Sequence, residues 1–257
     1  MTVSEPKRVL IIRLSAIGDV VFASPLVAAC RKRYPSTEID WLAEGVVRPL
    51  LTELPGLTQV VLWPRQEWQD LWREKRIFAL LRAVMAFRQK LRERNYDLVI
   101  DAQGLVKSAF LSWLTGSPQR IGFKSKEPNG VFLTQRLDKS ITPRISSEYL
   151  ALADTLGRDT SNFEMVLGLS ELDNKRSIDI APQEAYVVIA PFTTRPQKHW
   201  THGHWRALIE QLVNAGHRVA CLGGPADREE AATLLEGLTV MNWVGAYPLG
   251  VSAGLVK

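Results

Sequence analysis

One carboxylate near the start of the chain, that of Asp19, stands where it could act on a bound ligand. Residues 9–12 before it are apolar and mostly β-branched, which is typical of a strand buried on both faces of a parallel sheet. A helical pattern follows over residues 24–34, so the segment predicts a strand, a turn and a helix. Ligands of open α/β sheets bind at the carboxyl ends of the strands. Asp19 could serve there as a general base or could cap the first helix, and its spacing leaves both roles open.

The turn around Asp19 holds a single glycine, Gly18. Dinucleotide-binding turns carry the pattern Gly-x-Gly-x-x-Gly, in which glycines let the backbone approach a pyrophosphate. The later turn with Gly223 and Gly224 lacks this pattern as well. The sequence therefore argues against a nicotinamide-dependent oxidoreductase.

The composition is that of a globular protein, because 46% of the 257 residues are hydrophobic and 23% are charged. The longest apolar runs are well short of the roughly 20 residues that cross a bilayer. Arg13 interrupts the first apolar stretch too early for a signal peptide. Cys30 and Cys221 fit buried thiols of a reducing compartment. Together these features predict a cytoplasmic protein.

Residues 63–94 carry nine basic and four acidic side chains, a surplus equal to the net charge of +5 of the whole chain. A solvated amphipathic helix would account for such a charge run. Trp63, Trp68 and Trp72 are interleaved with the charges, which favours an anionic membrane surface or an anionic ligand. No recognisable module supports nucleic acid as the partner.

Apolar runs alternate with helical patterns along the chain, which is the rhythm of βαβ units and parallel sheets. Strands are predicted at residues 9–12, 38–43, 59–63, 97–101, 119–123, 186–190, 219–222 and 239–244. Further helices are predicted at residues 49–54, 77–94, 106–115, 146–156, 204–215, 227–235 and 248–256. We therefore predict an α/β protein with an N-terminal Rossmann-like domain (1–160), a linker (161–184) and a partial C-terminal Rossmann-like domain (185–257).

The C-terminal series has only three predicted strands and the beginning of a last helix. Such a domain is too small to build a good core beside a first domain of ordinary size. We therefore expect that the chain lacks its C-terminal end.

Three sequence motifs follow one another in the chain. They read LSAIGDV at 14–20, DAQGLVKSA at 101–109 and TTRPQKHW at 193–200, with RIGF at 120–123 between the last two. Together they resemble glycosyltransferase family 9, and within it the ADP-heptose:lipopolysaccharide heptosyltransferases of type I. The resemblance covers nearly the whole chain and implies the GT-B fold, in which two Rossmann-like domains face a cleft.

The resemblance implies an inverting transfer of heptose from an ADP-heptose donor to a 3-deoxy-octulosonate (Kdo) sugar of a Kdo-lipid A acceptor. In such a transfer a base removes the proton of the acceptor hydroxyl as it attacks the anomeric carbon. Asp19 matches the catalytic aspartate of the family, which favours the base role, and helix capping remains compatible with it. No cofactor is implied.

The resemblance also implies a donor site in the C-terminal domain. Lys198 would supply a cation to the departing diphosphate, and Thr193 and Thr194 would supply hydroxyls before a helix N-terminus. Because the chain has no Asp-x-Asp pair, we expect a metal-independent mechanism. Glu229 or Glu230 could meet the adenosine ribose. The Asp-Thr-Gly-Leu turn that holds the donor in the family has no match here, so we expect this chain alone to bind donor poorly.

The acceptor is rich in carboxylates and phosphates, and the resemblance assigns it to the N-terminal domain. The candidate contacts are polar or basic side chains, because arginine in particular suits these oxygens. They are Arg13, Gln103, Lys107, Arg120, Lys124 and Arg136, together with the basic stretch at 63–76. We expect the protein at the inner face of the cytoplasmic membrane, in peripheral contact with its anionic surface.

Three histidines in the motif at 193–200 and just after it, His199, His202 and His204, could suggest a metal site. They lie in a loop that enters a helix, without a cluster of cysteines or acids nearby, so structural or capping roles are favoured.

Two alternatives to heptose transfer stay open. One is a related GT-B glycosyltransferase with another nucleotide sugar or acceptor. The other is a non-catalytic chain that only binds anionic acceptors of the lipid A type through its basic N-terminal half.

Overall fold

The first part of the chain is built on a sheet of six parallel strands. The computed structural model describes residues 5–139, 147–157 and 164–256, and the chain forms two units, Met1–Gly168 and Leu169–Lys257. The strands of the first unit are β1 (Arg8–Ile12), β2 (Glu38–Ala43), β3 (Gln59–Leu62), β4 (Leu98–Asp101), β5 (Gln119–Phe123) and β6 (Gln135–Leu137). Their order is β3-β2-β1-β4-β5-β6, so the strand order reverses between β1 and β4. Ligands of such sheets bind at the carboxyl ends of this central pair.

Helices cover both faces of this sheet. They are α1 (Ile17–Ala23), α2 (Pro25–Arg33), α3 (Arg65–Arg73), α4 (Ile77–Glu93), α5 (Val106–Leu114) and α6 (Ser147–Thr155). Successive residues of β1 point to opposite faces, so Val9 and Ile11 pack with side chains of α2 and α6. Leu10 and Ile12 pack on the other face with side chains of α4 and α5. Burial of each such side chain contributes about 1.5–3 kcal/mol, which explains the continuous apolar run of β1.

The strands predicted for the first unit are confirmed to within one residue, and β6 adds an edge strand that the sequence did not predict. The predicted turn around Asp19 is the short helix α1, and α3 was also not predicted. Residues 45–50 form a 3₁₀ helix near the predicted short helix at 49–54. The helix predicted at 146–156 is α6, and residue 146 lies outside the described residues.

The second unit has a smaller parallel sheet of strands β7 (Tyr186–Ile189), β8 (Arg218–Cys221) and β9 (Met241–Asn242), in that order. Its helices are α7 (Glu171–Ile180), α8 (His202–Asn214), α9 (Arg228–Leu235) and α10 (Leu249–Gly254). Ile209, Val219 and Leu234 lie in its core. The strand predicted at 239–244 is shorter than expected, because only residues 241 and 242 pair with β8. None of the helices in the described part of the chain is long and apolar enough to cross a membrane.

The linker predicted at 161–184 contains the helix α7, so ten residues of that segment are helical. The hydroxyl of Ser170 caps this helix by accepting a hydrogen bond of 3.1 Å from the Asp173 amide. The sequence of α7 is polar because its partner is α10, whose residues Gly250 and Gly254 lie directly against Asp173 and Ser177. Such packing relies on small residues and leaves no apolar stripe to recognise. The predicted boundary at residue 160 lies within 158–163, outside the described residues.

A buried carboxyl group, that of Asp40 on β2, anchors the elements near the amino ends of the strands. It accepts hydrogen bonds from the Tyr96 hydroxyl (2.7 Å), the Arg94 Nε (3.0 Å) and the Gln59 side-chain amide (2.9 Å). Burial, followed by the neighbouring Asp40, raises the pKa of Tyr96 above its ordinary value, so Tyr96 stays a donor. This network connects the end of α4 to β2 and β3.

Replacing Tyr96 with Phe should lower the free energy of unfolding by about 2 kcal/mol, because the buried Asp40 carboxyl loses a donor. Urea denaturation followed by circular dichroism measures this change. Tyr34→Phe is the matched control, because no side-chain hydrogen bond of Tyr34 is present among the described residues. A change for Tyr96→Phe no larger than that for the control would contradict the role of the network.

Candidate functional site

The carboxyl ends of β1 and β4 hold an ion pair between Arg13 and Asp19. Arg13 directly follows β1, and its side chain is only 9% exposed. One terminal nitrogen of its guanidinium contacts the Asp19 carboxylate, and the other donates a 3.1 Å hydrogen bond to the Ala102 carbonyl after β4. The guanidinium carbon also lies 5.9 Å from the centre of the Tyr149 ring. Arg13 therefore connects the loops that follow the two central strands.

Asp19 is the exposed member of this pair, since 43% of its side chain reaches solvent. It lies in the first turn of α1, and no side chain caps the amino end of α1 or of α2 in the structure. The helix-cap alternative for Asp19 is therefore not observed. A carboxylate that is fixed on one side and open to solvent on the other can accept a proton from a ligand hydroxyl.

The turn after β4 is organised by the buried carboxyl group of Asp101. This group accepts hydrogen bonds from the amides of Gln103 (3.0 Å) and Gly104 (3.1 Å) and from the hydroxyl of Ser108 (3.0 Å). Gly104 has a φ of +72°, which favours glycine, and a Cβ there would lie 3.2 Å from the Cβ of Phe123. The turn is thus specified by the Asp-x-x-Gly part of the motif at 101–109.

The side chain of Gln103 connects this turn to the loop that holds Arg13 and Asp19. Its side-chain oxygen accepts a 2.9 Å hydrogen bond from the Leu14 amide, and the side chain is largely buried. The side-chain oxygen of Gln103 therefore holds the backbone of Leu14, whereas we predicted that Gln103 would contact the acceptor substrate. In the described part of the chain, the amide nitrogen of this side chain has no hydrogen-bond partner, so it remains available to a ligand.

Burial raises the pKa of Asp101 to about 6, against the opposing effects of its hydrogen bonds and of the Arg13 charge. Burial also raises the pKa of Tyr149, although the Arg13 charge opposes this shift. The neighbourhood of Arg13 therefore contains one exposed carboxylate, Asp19, and a buried carboxyl group that titrates near neutrality. Their environments give the two groups different tasks.

Glu44 is a second acidic group at this edge, and our sequence reasoning missed it. It directly follows β2, its side chain is largely buried, and it forms a 2.9 Å ion pair with Arg65 at the start of α3. The Ser15 hydroxyl lies 3.4 Å from its other oxygen. An acid that directly follows a predicted strand was the signal that could have identified it.

The other predicted acceptor residues are dispersed. Lys107 on α5 lies over the Trp63 ring at 5.9 Å, and Lys124 follows β5 and pairs with Asp138 at 2.8 Å. Arg136 lies on β6, with its guanidinium against Gly130. Arg120 lies near the amino end of β5, away from this edge, and its Nε donates to the Phe132 carbonyl at 2.7 Å. The structure therefore does not bring Arg120 to Asp19, because backbone carbonyls already bind its guanidinium.

Two of the three tryptophans in the basic stretch face inward. Trp63 and Trp68 form an edge-to-face pair with centroids 5.9 Å apart, and Trp68 packs on Phe87 in the same way at 5.7 Å. Trp72 is exposed. The pattern of interleaved tryptophans therefore marks the packing of α3 on α4 more than a surface.

In the second unit the predicted donor residues follow β7 and β8. Thr193, Thr194 and Lys198 lie in the loop after β7, with Lys198 exposed at the end of a short 3₁₀ helix. Glu229 and Glu230 lie in the first turn of α9, after β8. The His202 ring donates a 2.9 Å hydrogen bond to Glu230, which joins the two segments. Because β7 and β8 are parallel neighbours, all five residues belong to the same edge of this sheet.

The histidines of this loop have partners of their own. The Nε2 of His199 donates to the Thr193 carbonyl at 2.6 Å, and His204 lies 2.5 Å from the hydroxyl of Thr201, which caps α8. Structural and capping roles account for these contacts. Within the described ranges, no group of three or more His, Cys, Asp or Glu side chains is arranged to hold a metal ion.

Comparisons with known proteins agree on one family. The model of glycosyltransferase family 9 (heptosyltransferase) matches residues 84–250. Lipopolysaccharide heptosyltransferase 1 of Escherichia coli K12 is 31% identical over 248 residues, which cover 91% of this chain and 74% of that protein. The enzyme of the same name from Pseudomonas aeruginosa is 29% identical, over 90% of this chain and 65% of that protein.

Solved structures give the same result. The E. coli heptosyltransferase WaaC, solved with ADP-2-deoxy-2-fluoro heptose, is 28% identical with a TM-score of 0.73. The match covers 97% of this chain and 79% of that one. E. coli ADP-heptose lps heptosyltransferase II has a TM-score of 0.74 at 24% identity, over 97% of this chain and 76% of that one. Together with the two parallel sheets, these likenesses confirm the predicted α/β fold of the GT-B class.

The raised pKa of Asp101 predicts a specific pH dependence of stability. Because the folded state holds the proton more tightly than the unfolded state, this group stabilises the fold below pH 3.8 and loses that contribution as the pH rises through about 6. Asp101→Asn cannot take up the proton. Its stability relative to the wild type should therefore fall by about 2 kcal/mol between pH 7.5 and pH 4.5.

Urea denaturation of both proteins at the two pH values measures this difference. Asp154→Asn, at an exposed carboxylate on α6, is the matched control and should show no such change. A pH-independent difference between Asp101→Asn and the wild type would refute the assignment.

Proposed function

Because the chain belongs to glycosyltransferase family 9, we propose that it transfers heptose from ADP-heptose to the inner core of lipopolysaccharide. The names of its relatives support this proposal, since they describe lipopolysaccharide heptosyltransferases. The finer part of the proposal is that the acceptor is a Kdo sugar, that the anomeric configuration is inverted, and that no metal ion takes part. It also includes peripheral contact with the anionic inner face of the cytoplasmic membrane.

The observation that carries the proposal is the position of Asp19. Its carboxylate lies beside the switch point between β1 and β4, held by Arg13 and open to solvent. In the proposed reaction Asp19 removes the proton of the acceptor hydroxyl while that oxygen forms a bond to the anomeric carbon of the heptose. The bond between this carbon and the diphosphate oxygen breaks, and ADP leaves with the electron pair. Attack from the side opposite to the leaving group inverts the configuration.

Arg13 has two tasks in this proposal. It holds the Asp19 carboxylate, and its guanidinium carries a charge that suits an acceptor carboxylate. The Nε of Arg13 is buried and has no hydrogen-bond partner among the described residues. Lys107, which follows β4, would add positive charge at the same edge of the sheet, whereas Lys124 after β5 is paired with Asp138.

The departing diphosphate requires positive charge, which we assign to Lys198. Its exposed side chain lies in the loop after β7, close in sequence to the hydroxyls of Thr193 and Thr194. We assign the donor ribose to Glu229 or Glu230 at the start of α9. An ammonium group in place of a metal ion stabilises the charge that develops on the leaving group.

Asp19→Asn should lower kcat at least about 100-fold, because a general base contributes about 10²–10⁴-fold. Asn keeps the shape of the side chain and can still accept a hydrogen bond from Arg13. The assay measures the release of ADP from ADP-heptose in the presence of Kdo-lipid A. It uses the natural polypeptide that contains these residues. Acceptor binding should be retained, and the exposed Asp154→Asn should keep wild-type kcat.

An unchanged kcat for Asp19→Asn would rule out Asp19 as the base. A polypeptide that turns over another nucleotide sugar but not ADP-heptose would retain the glycosyltransferase assignment and reject the heptose donor. Acceptor binding without turnover of any donor would favour a binding chain.

Lys198→Met should lower kcat about 100-fold or more, because the loss of one group that stabilises the charge of a transition state costs about 10²–10³-fold. The KM for the acceptor should change little, since the proposed role of Lys198 concerns only the donor. Lys175→Met, at an exposed lysine on α7 in the same unit, is the matched control. Equal effects on both lysines would contradict the assignment of Lys198 to the diphosphate.

A further inference from the structure

The outward face of α4 is apolar where a solvated helix would be polar. Phe78 is 90% exposed, and Leu81 and Met85 are each 55% exposed. Residues spaced three or four apart share one face of a helix, so these three side chains form a continuous stripe. The opposite face of α4 packs into the core through Phe87 and Leu91. Helix α4 therefore packs on the core without using the three side chains of the stripe.

Positive charge flanks this stripe, because the helical positions of Arg82 and Arg88 lie on either side of it. Five basic side chains of residues 65–94 have no ion-pair partner in the part of the chain that the structure describes. They are Lys75, Arg82, Arg88, Lys90 and Arg92. Glu93 is the single acid of α4, and it accepts a hydrogen bond from the Gln89 amide. An exposed apolar stripe within unpaired cations is complementary to a surface that is apolar inside and anionic outside.

We propose that the outward face of α4 binds the surface of an anionic lipid bilayer. Phe78, Leu81 and Met85 enter the boundary between headgroups and acyl chains, and Arg82 and Arg88 meet headgroup phosphates. The proposal identifies α4 as the element that contacts the membrane. It rests on the proposed function only because that function gives the protein a reason to be at a membrane. The contact itself needs neither donor nor acceptor.

The position of α4 suits this role. A groove of about 1090 Å³ has apolar walls formed by α3, α4 and α5. Its lining includes Arg65 and Lys107, which lie near the carboxyl ends of the strands. It also includes the exposed Trp72 and Ile77, and Ile77 directly precedes Phe78. Docking through α4 would therefore place one end of this groove at the bilayer and the other toward the edge that holds Asp19.

The test is flotation of the chain with vesicles of phosphatidylcholine alone or with about 30% phosphatidylglycerol, without any glycolipid acceptor. The wild type should bind the anionic vesicles and lose most of this binding at about 0.5 M salt. The double variant Phe78→Gln/Met85→Gln should lower the partition coefficient at least about tenfold. Arg82→Gln/Arg88→Gln should lower it by at least about tenfold as well and weaken its dependence on salt.

Matched controls are Val131→Gln, at an exposed apolar residue elsewhere in the first unit, and Lys32→Gln, at an exposed lysine on α2. Both should bind as the wild type does. All variants replace exposed side chains except at the half-buried Arg88, and circular dichroism checks that their folds are unchanged.

Three results would overturn the proposal: no binding to anionic vesicles, equal binding to neutral vesicles, or equal binding by the α4 variants and their controls. Self-association of the wild type in analytical ultracentrifugation that Phe78→Gln/Met85→Gln abolishes, without vesicle binding, would reassign the face to a second copy of the chain. Because the vesicles contain no acceptor, failure here leaves heptose transfer untouched, and loss of transfer in Asp19→Asn leaves vesicle binding untouched.

Discussion

The need to compensate a buried positive charge organises the carboxyl edge of the first sheet. The side chain of Arg13 is almost inaccessible to solvent, and a buried guanidinium is tolerated only when anionic and carbonyl groups surround it. The Asp19 carboxylate and the Ala102 carbonyl meet this need from two different loops. The same contacts hold the carboxylate at a fixed position with one side open. The charge of Arg13 thus gives Asp19 a defined place without enclosing it.

The surrounding turn shows how carboxyl groups of one unit acquire different tasks. Asp101 is buried and saturated with hydrogen bonds, so it shapes the turn of Gln103 and Gly104. Asp40, near the opposite edge of the sheet, is buried among donors and joins strands to α4. Of these three carboxyl groups, only Asp19 combines a cationic partner with access to solvent. Its location at the switch point and its exposure, and not its residue type, are the reasons for proposing it as the base.

Much of the architecture could be predicted from the sequence because its signals are local. The continuous apolar run of β1 reports burial on both faces, and the order of strands and helices reports parallel sheets. Helix α7 could not be predicted in this way, since its packing depends on Gly250 and Gly254, about 75 residues away in sequence. The site followed the same rule. A local motif was enough to identify Asp19. The role of Glu44 depends on a contact with Arg65, which no local pattern contains.

Arg120 shows why residue type alone is a weak guide to a site. It lies in a motif, and its guanidinium has the right chemistry for anions. That guanidinium is nevertheless hydrogen-bonded to the Phe132 carbonyl near the amino end of β5, away from the carboxyl edge. The charge count of residues 63–94 is a second example. Arg65 and Arg94 are neutralised by Glu44, Glu38 and Asp40, all of which lie outside that segment. Among the basic residues at 63–94, those without an ion-pair partner in the described part of the chain belong to α4 and the turn before it. Folding therefore concentrates a diffuse surplus of charge on one helix, beside the apolar stripe that the tryptophan pattern did not indicate.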